Sequence, residues 1–179
     1  MNFKLSAKIP KDVVLSFSSG VDSHFGYDFL KGGNRNIRLL HFNHGTSMSN
    51  VYKYHAKIFA MTEGIPIEVI NITGDNEFDW SNKRREYVKS LSETVVTCHH
   101  KDDNEETILM RAREIPSVNE NIIRPFLNIT KSQIYSYAES KGLIWIEDPT
   151  NQIGFTKRNR IRKELIPLAR DIGVRLNSK

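Results

Sequence analysis

Cysteine is nearly absent. Cys98 is the single one in 179 residues, which excludes an internal disulfide and every zinc or redox centre built on paired cysteines. Proline and glycine are sparse, six and ten residues, and neither recurs with a period, so collagen-like and low-complexity chains drop out. No apolar run approaches the eighteen or so residues that span a bilayer. Pro10, Lys11 and Asp12 interrupt the N-terminus before a signal-peptide core forms. The reading is a cytoplasmic protein with no membrane partner, and a domain of this size buries a core without covalent staples.

What the chain does have is charge, unevenly placed. Residues 156–179 hold eight Lys or Arg against Glu164 and Asp171, a net +6, while the other residues sum to −1. A basic tail on a near-neutral body points to an anionic partner, most often nucleic acid, with a solvated charged helix as the plain alternative.

Short β-branched runs at 13–17, 37–42, 67–72 and 94–98 alternate with segments of helical period, the pattern of βα units in a parallel sheet. Val21, Phe25 and Phe29 mark one face of a first helix, and Val51, Tyr54, Ile58 and Met61 one face of a second. A third helix runs through Trp80, Tyr87 and Leu91. A fourth follows Asp102 with Ile108, Leu109, Ala112 and Ile115. After Pro116 the pattern loosens, then resumes with a helix over 132–141 stopped by Gly142, a short extended piece over 143–146, and turn chemistry at Asp148, Pro149, Thr150 and Asn151. The last segment sets Ile161, Leu165, Leu168, Ala169 and Ile172 on one stripe, with Pro167 bending or restarting the helix. The expectation is a single doubly wound, mostly parallel α/β domain over 1–179, with 156–179 as a basic helical tail.

The first strand runs into Ser18, Ser19, Gly20, Val21, Asp22 and Ser23 and then directly into a helix. Small residues at such a turn let amides converge on an anion at the positive end of the helix dipole. It is not a Walker A loop, since no Gly-Lys-Ser/Thr follows the glycine. The plain alternative is a serine-rich turn with Ser or Asp as helix cap.

Asp102, Asp103, Glu105 and Glu106 crowd the start of the fourth helix, and Asp103 and Glu106, three apart, can point at one cationic amine. A capping box joining Asp102 to Glu105 or Asp103 to Glu106 accounts for the same spacing. His99 and His100 precede them at a strand end, a place for catalytic groups or for a cap.

The loop from Phe17 to Ser23 resembles the SGGxDS loop of the PP-loop pyrophosphatases, which cleave ATP to AMP and pyrophosphate. Ser19 stands where that family has glycine, so a positive φ there carries a strain of roughly 1 kcal/mol or more. Three further blocks are similar to the tRNA(Ile)-lysidine synthetases. They are His41-Phe42-Asn43-His44-Gly45, the run from Cys98 through His99, His100, Asp102, Asp103 and Glu106 to Thr107, and a third block. The third comprises Arg124-Pro125-Phe126-Leu127, Glu147-Asp148-Pro149-Thr150-Asn151 and Arg158-Asn159-Arg160-Ile161-Arg162.

That resemblance implies the Rossmann-like fold of the adenine nucleotide alpha hydrolases and a ligase that adenylates O2 of an anticodon cytidine and then joins lysine to the ring. It implies ATP on Ser18, Ser19, Gly20, Val21, Asp22 and Ser23 with Asn43 and His44, and Mg²⁺ on the phosphates with Asp22. Asp103 and Glu106 would hold the α-amino group of lysine, and Asp22, Asp103 and Glu106 would be the catalytic set. Arg85, with Arg84 as second choice, would take the lysine carboxylate. Arg124, Arg158, Asn159, Arg160 and Arg162 would meet substrate, with an isoleucine tRNA of CAU anticodon as partner. The family's C-terminal tRNA-binding domains find no counterpart here, which leaves the tRNA grip to self-association or a second protein. Two rival readings are a tRNA thiolase, disfavoured by the lone Cys98, and a non-catalytic nucleotide- or RNA-binding protein of the same fold.

Overall fold

The computed structural model describes residues 3–74, 76–147, 157–174 and 176. The chain opens with strand β1 (Asp12–Ser16), helix α1 (Val21–Gly32), strand β2 (Asn36–Asn43), helix α2 (Ser47–Glu63) and strand β3 (Ile67–Asn71). Helix α3 (Glu77–Ser90), strand β4 (Val95–Val96) and helix α4 (Lys101–Arg111) follow. Two short strands, β5 (Val118–Asn119) and β6 (Ile122–Ile123), lead to helix α5 (Lys131–Ser140). The basic segment is one turn of helix α6 (Lys157–Arg160), a π-helical turn (Ile161–Leu165) and helix α7 (Ile166–Asp171).

The sheet runs β3-β2-β1-β4-β6-β5, parallel except for the β5–β6 hairpin. Strand order reverses between β1 and β4, so this is the doubly wound α/β fold that the alternating pattern predicts. Ligands bind in such sheets in the crevice at that reversal, outside the carboxyl ends of the strands. The loop carrying Ser18 leaves β1 there, and the loop carrying His99 and His100 leaves β4 beside it.

Strands β1 and β4 read as nearly unbroken apolar runs because helices cover both faces. Leu15, Leu39, Phe25 and Phe126 are fully buried. Phe25 meets Phe126 edge to face at 5.0 Å. Helix α1 crosses β4 so closely that a Cβ on Gly26 would lie 2.3 Å from Sγ of Cys98.

Three expectations are corrected. The second helix's stripe, Val51, Tyr54, Ile58 and Met61, faces solvent. The buried face carries Ser49, Ala56 and Ala60, whose small side chains let the helix backbone approach the sheet. In the last segment Ile161 and Ala169 are buried, but Leu165, Leu168 and Ile172 are exposed, and Ile166 is buried in their place. A π-helical turn takes one extra residue, so the stripe counted on an α-helical period slips there. The helix restarts with Pro167 in its first turn, where the missing N–H costs nothing. Helix α4 ends at Arg111, with Ala112 left-handed at φ 52°, so Ile115 lies beyond it. Its buried residues are Asn104, Glu105 and Glu106, not apolar ones.

The β5–β6 hairpin gave no pattern in the sequence, since each strand has only two residues. Its position is set by Asn121, whose side-chain amide donates to the carbonyls of Val88, Leu91 and Glu93. Among the described residues the extended piece over 143–146 pairs with no strand, but its end is tied to the turn after β1, Ile146 N–H donating to Ser19 O at 3.0 Å. Asp148, Pro149, Thr150 and Asn151 lie outside the described residues.

Candidate functional site

A cavity of about 640 Å³ opens at the strand-order reversal, lined among others by Ser18, Gly20, Val21, Asp22, Lys131 and Arg162. Gly20 stands at the N-cap of α1 and no side chain caps that helix, so the serine-cap alternative does not hold. A helix start left without a side-chain cap, in a crevice, is where backbone donors await an anion.

Ser19 has φ 70°, the left-handed conformation that glycine would adopt freely. It is fully buried, its hydroxyl donates to Tyr52 O at 3.0 Å, and its carbonyl accepts from Ile146. The surrounding bonds hold a strained turn that exposes Ser18 and Gly20 to the cavity. Ser19 and Ser23 do not line it, and the Ser23 hydroxyl turns back onto Gly20 O at 2.8 Å.

Asp22 faces the cavity with both oxygens bonded by Nζ of Lys131, at 2.7 and 2.8 Å. Buried His100 lies between Asp22 and α4. Its Nε2 is 3.8 Å from Asp22 and 3.4 Å from Asp103, and its Nδ1 is 3.5 Å from Asp102. Burial by itself would lower the His100 pKa, but Asp102, Asp103 and Asp22 outweigh it and raise it. Asp103 is held low although burial opposes this, because His100, His99 and Arg158 favour its charged form. His99 is half-buried, and that burial lowers its pKa, the Arg124 and Arg158 charges acting the same way.

The acidic start of α4 is filled by arginines of the basic segment. Arg158 Nε donates to Glu106 at 2.6 Å and Arg162 Nε to its other oxygen at 2.5 Å. Arg158 Nη2 is 3.6 Å from Asp103, and Arg170 bonds Asp102 at 3.1 Å and Glu105 at 2.5 Å. Asp103 and Glu106 therefore do converge on one cation, the guanidinium of Arg158. Asp103 is also part of a cap, accepting the N–H of His100 at 3.1 Å; the helix cap is His100 and not an aspartate.

At the far side of the cavity the rings of His44 and Trp80 stack at 4.7 Å and 26°. Burial and then nearby Arg84 lower the His44 pKa, against a smaller opposing effect of Glu77, and so favour the neutral ring. Arg84 lines this wall and pairs with Glu77 at 2.5 Å. Arg85 is exposed, does not line the cavity and donates to Asn82 Oδ1 at 3.5 Å; the Arg124 pKa is lowered by burial and then by the Arg85 charge. Arg124 donates to Pro116 O at 2.9 Å, and its Nε is buried without a partner.

Two expected site residues do other work. Asn43 is buried below the cavity and ties β2 to β3 and α2, donating to Asn71 at 2.9 Å and accepting from Ser49 at 2.7 Å. Arg160 points away and pairs with Glu164 on its own helical segment at 3.3 Å. Asn159 is half-buried beside it and does not line the cavity. The sequence reading missed Lys131, Trp80 and Arg170. Lys131 did leave a signal: it follows the cap of a Thr130–Gln133 capping box, where the helix dipole disfavours a cation, so it needs a reason to be there.

Mg²⁺ fits this site in one form only. Among the described residues no group of three or more His, Cys, Asp or Glu is placed to hold a metal. Asp22, in the first turn of α1, offers a carboxylate to the cavity, with Glu77 and Glu147 elsewhere on its lining, and one such group suits an ion carried mostly on phosphate oxygens.

The chain is 29% identical over 178 residues to a tRNA(Ile)-lysidine synthase of Haemophilus ducreyi, covering 88% of this chain and 42% of that protein. A tRNA(Ile)-lysidine synthase of Chlamydia pneumoniae is 25% identical, covering 95% of this chain and 61% of that one. The chain thus spans about two fifths to three fifths of these relatives. An NH3-dependent NAD synthetase from Campylobacter jejuni shares the fold at TM-score 0.55 and 16% identity, covering 92% of this chain and 78% of that one. A predicted subunit of tRNA methyltransferase from Methanocaldococcus jannaschii does so at TM-score 0.52 and 19%, covering 73% and 75%. A family model described as PP-loop domain matches residues 2–169, nearly the whole α/β unit, and the chain belongs to that family.

Proposed function

We propose that this protein is an ATP-dependent, tRNA-modifying ligase that joins lysine to an anticodon cytidine. The observation that carries the reading is the meeting of two sites across one buried histidine. An uncapped phosphate loop with Asp22 and Lys131 lies on one side of His100, and the carboxylate of Asp103 lies on the other. The first suits a triphosphate, the second an amine.

In the first step, O2 of the cytidine attacks the α-phosphorus, and pyrophosphate leaves. Amides of the loop and the Lys131 ammonium neutralise charge growing on that leaving group. Mg²⁺, when bound on the phosphates beside Asp22, adds to the same neutralisation. In the second step the lysine ε-amine attacks the ring carbon, loses a proton, and AMP leaves with the oxygen. Asp103 orients the α-amino group. Arg124, with its unpartnered Nε and its neighbour Arg85, is the cationic pair for the α-carboxylate. The relatives named tRNA(Ile)-lysidine synthase support tRNA as the acceptor, and an isoleucine tRNA is the first to test.

A thiolase is a poorer fit, because Cys98 is the chain's single cysteine and burial pushes its thiol pKa up, away from the reactive thiolate. The test is incubation with ATP, Mg²⁺, bulk tRNA and labelled lysine. Lysine-dependent pyrophosphate release with label in the tRNA is expected. Tight RNA binding with no ATP cleavage would replace the ligase by a binding protein.

A further inference from the structure

Trp80 is half-buried on α3 and held in place by two neighbours. Its indole N–H donates to Gly74 O at 3.0 Å, and Gly74 lies so close to the ring that a Cβ there would stand 2.9 Å from Cδ1. The His44 ring stacks on it at 4.7 Å and 26°. Core packing does not account for this fixed place: α3 is anchored to the sheet through Tyr87, Val88 and Leu91, and Trp80 belongs to neither hydrophobic core. Both stacked rings line the cavity, with Glu77 three residues before Trp80 and Arg84 four residues after it on the same face of α3. The same cavity carries Ser18, Gly20 and Lys131, which suit phosphate. A ligand that answers both parts has a charged chain and a flat ring with exposed π faces, and a nucleotide is of that class. The volume of about 640 Å³ is that of a small-molecule site.

We infer that the His44–Trp80 pair is a stacking wall for a nucleobase, with Trp80 its principal ring. The assignment rests on the proposed ligase reading and deepens it, since both substrates of the first step, ATP and the RNA, carry such a base. The family resemblance gives His44 to ATP and assigns nothing to Trp80. A ring already fixed by its neighbours loses little freedom when a base settles on it, so the stacking energy goes into affinity. Every base has a π face, so the wall accepts the base by shape and leaves its source, ATP or RNA, to be read by experiment.

The experiment uses Trp145→Phe, which removes the chain's other tryptophan and lies outside the cavity lining, so that emission reports Trp80 alone. Three probes are titrated with Mg²⁺: α,β-methylene-ATP, inorganic tripolyphosphate, which has the charge and no base, and a short single-stranded oligocytidylate. Calorimetry gives the affinities of wild type, Trp80→Ala and Trp80→Phe in parallel. The ATP analogue is expected to quench Trp80, and tripolyphosphate to bind without quenching. Trp80→Ala should weaken the analogue about tenfold, the size of one stacked base, and leave tripolyphosphate within about twofold. Trp80→Phe should recover most of the loss. Quenching by the oligocytidylate with the analogue silent supports the wall and gives it to the RNA base. Emission unchanged by both base-bearing probes, while calorimetry shows the analogue bound, overturns the wall and leaves the ligase reading standing. A loss in Trp80→Ala shared equally by tripolyphosphate marks a structural role and overturns it too. If Trp80→Ala shows no cooperative melt, the emission of Trp145→Phe decides alone. Wild-type protein that binds none of the three probes sinks the ligase reading and the wall together.

Discussion

Nζ of Lys131 bonds both oxygens of Asp22, joining the first turn of α5 to the first turn of α1 across 109 residues of chain. Each side chain is about one-third exposed, so the pair is open to the cavity and not sealed beneath it. A lysine at a helix start is held against the dipole, and here the carboxylate opposite compensates. Lys131→Met is expected to weaken ATP binding about tenfold, as loss of one cation beside a phosphate chain should. Raising Mg²⁺ should recover part of the loss, because Asp22 is then released to the metal. ATP titrations at low and high Mg²⁺ check this, and an affinity that does not change would remove Lys131 from the site.

Ser19 sits at φ 70° and donates through its hydroxyl to Tyr52 O. Ser19→Gly relieves roughly 1 kcal/mol of backbone strain and loses a hydrogen bond of similar size, so net stability should move by less than about 1 kcal/mol. Ser19→Ala keeps the strain and loses the bond, and should cost about 1–2 kcal/mol. Urea unfolding of the two variants separates the contributions. Equal stability would mean that the hydroxyl, and not the backbone, sets the conformation.

Gly26 and Cys98 are packed to the limit, since a methyl carbon added at Gly26 would stand 2.3 Å from the Cys98 sulfur. Gly26→Ala should destabilise by about 1–3 kcal/mol through overpacking. In a Cys98→Ala background the same change should cost much less, giving a favourable coupling energy of about 1 kcal/mol or more in a double-mutant cycle. Additive losses would show that the helix and not the sulfur resists the added carbon.

His24 is buried against Phe17 and Phe59, and burial lowers its pKa from 6.5 to about 4. Below pH 6.5 the unfolded chain takes up a proton that the folded chain refuses until about pH 4, so stability falls as pH drops through that window. His24 alone should remove about 2 kcal/mol between pH 7 and pH 5. His41, His44, His55 and His99 are lowered as well and act in the same direction. His100 is raised and opposes them, its contribution being complete below the ordinary histidine pKa and lost as pH rises through the raised value. Denaturant melts at pH 7, 6 and 5 check the sum. Stability that holds or rises toward pH 5, or a His24→Gln variant with an undiminished pH slope, would contradict it.

The sheet was legible wherever a strand carried several apolar residues in a row. The first four strands stand where their β-branched runs predict them; for β1 and β4 burial on both faces writes itself into composition, while β3, a half-buried edge strand, is marked by its β-branched residues. The two-residue strands of the hairpin had no room for a pattern, and Asn121 places them through bonds to residues about thirty positions away. The exposed stripe of α2 shows the converse. Its large apolar residues gave the stronger periodic signal, yet Ala56 and Ala60 face the sheet because small residues let a helix come closer.

At the site, sequence alone determined which residue types gather at the ends of β1 and β4, since spacing along a strand-to-helix turn is local. It also determined that a serine at the loop's glycine position would carry strain if the backbone turned left-handed, as it does. Which carboxylate meets which cation was decided only by tertiary structure. Arg158 and Arg162 reach Glu106 across 52 and 56 residues, and Lys131 reaches Asp22 across 109. Opposite charges attract without regard to position in the chain, so partners of this kind are selected by the packing of α5 and the basic segment against the sheet.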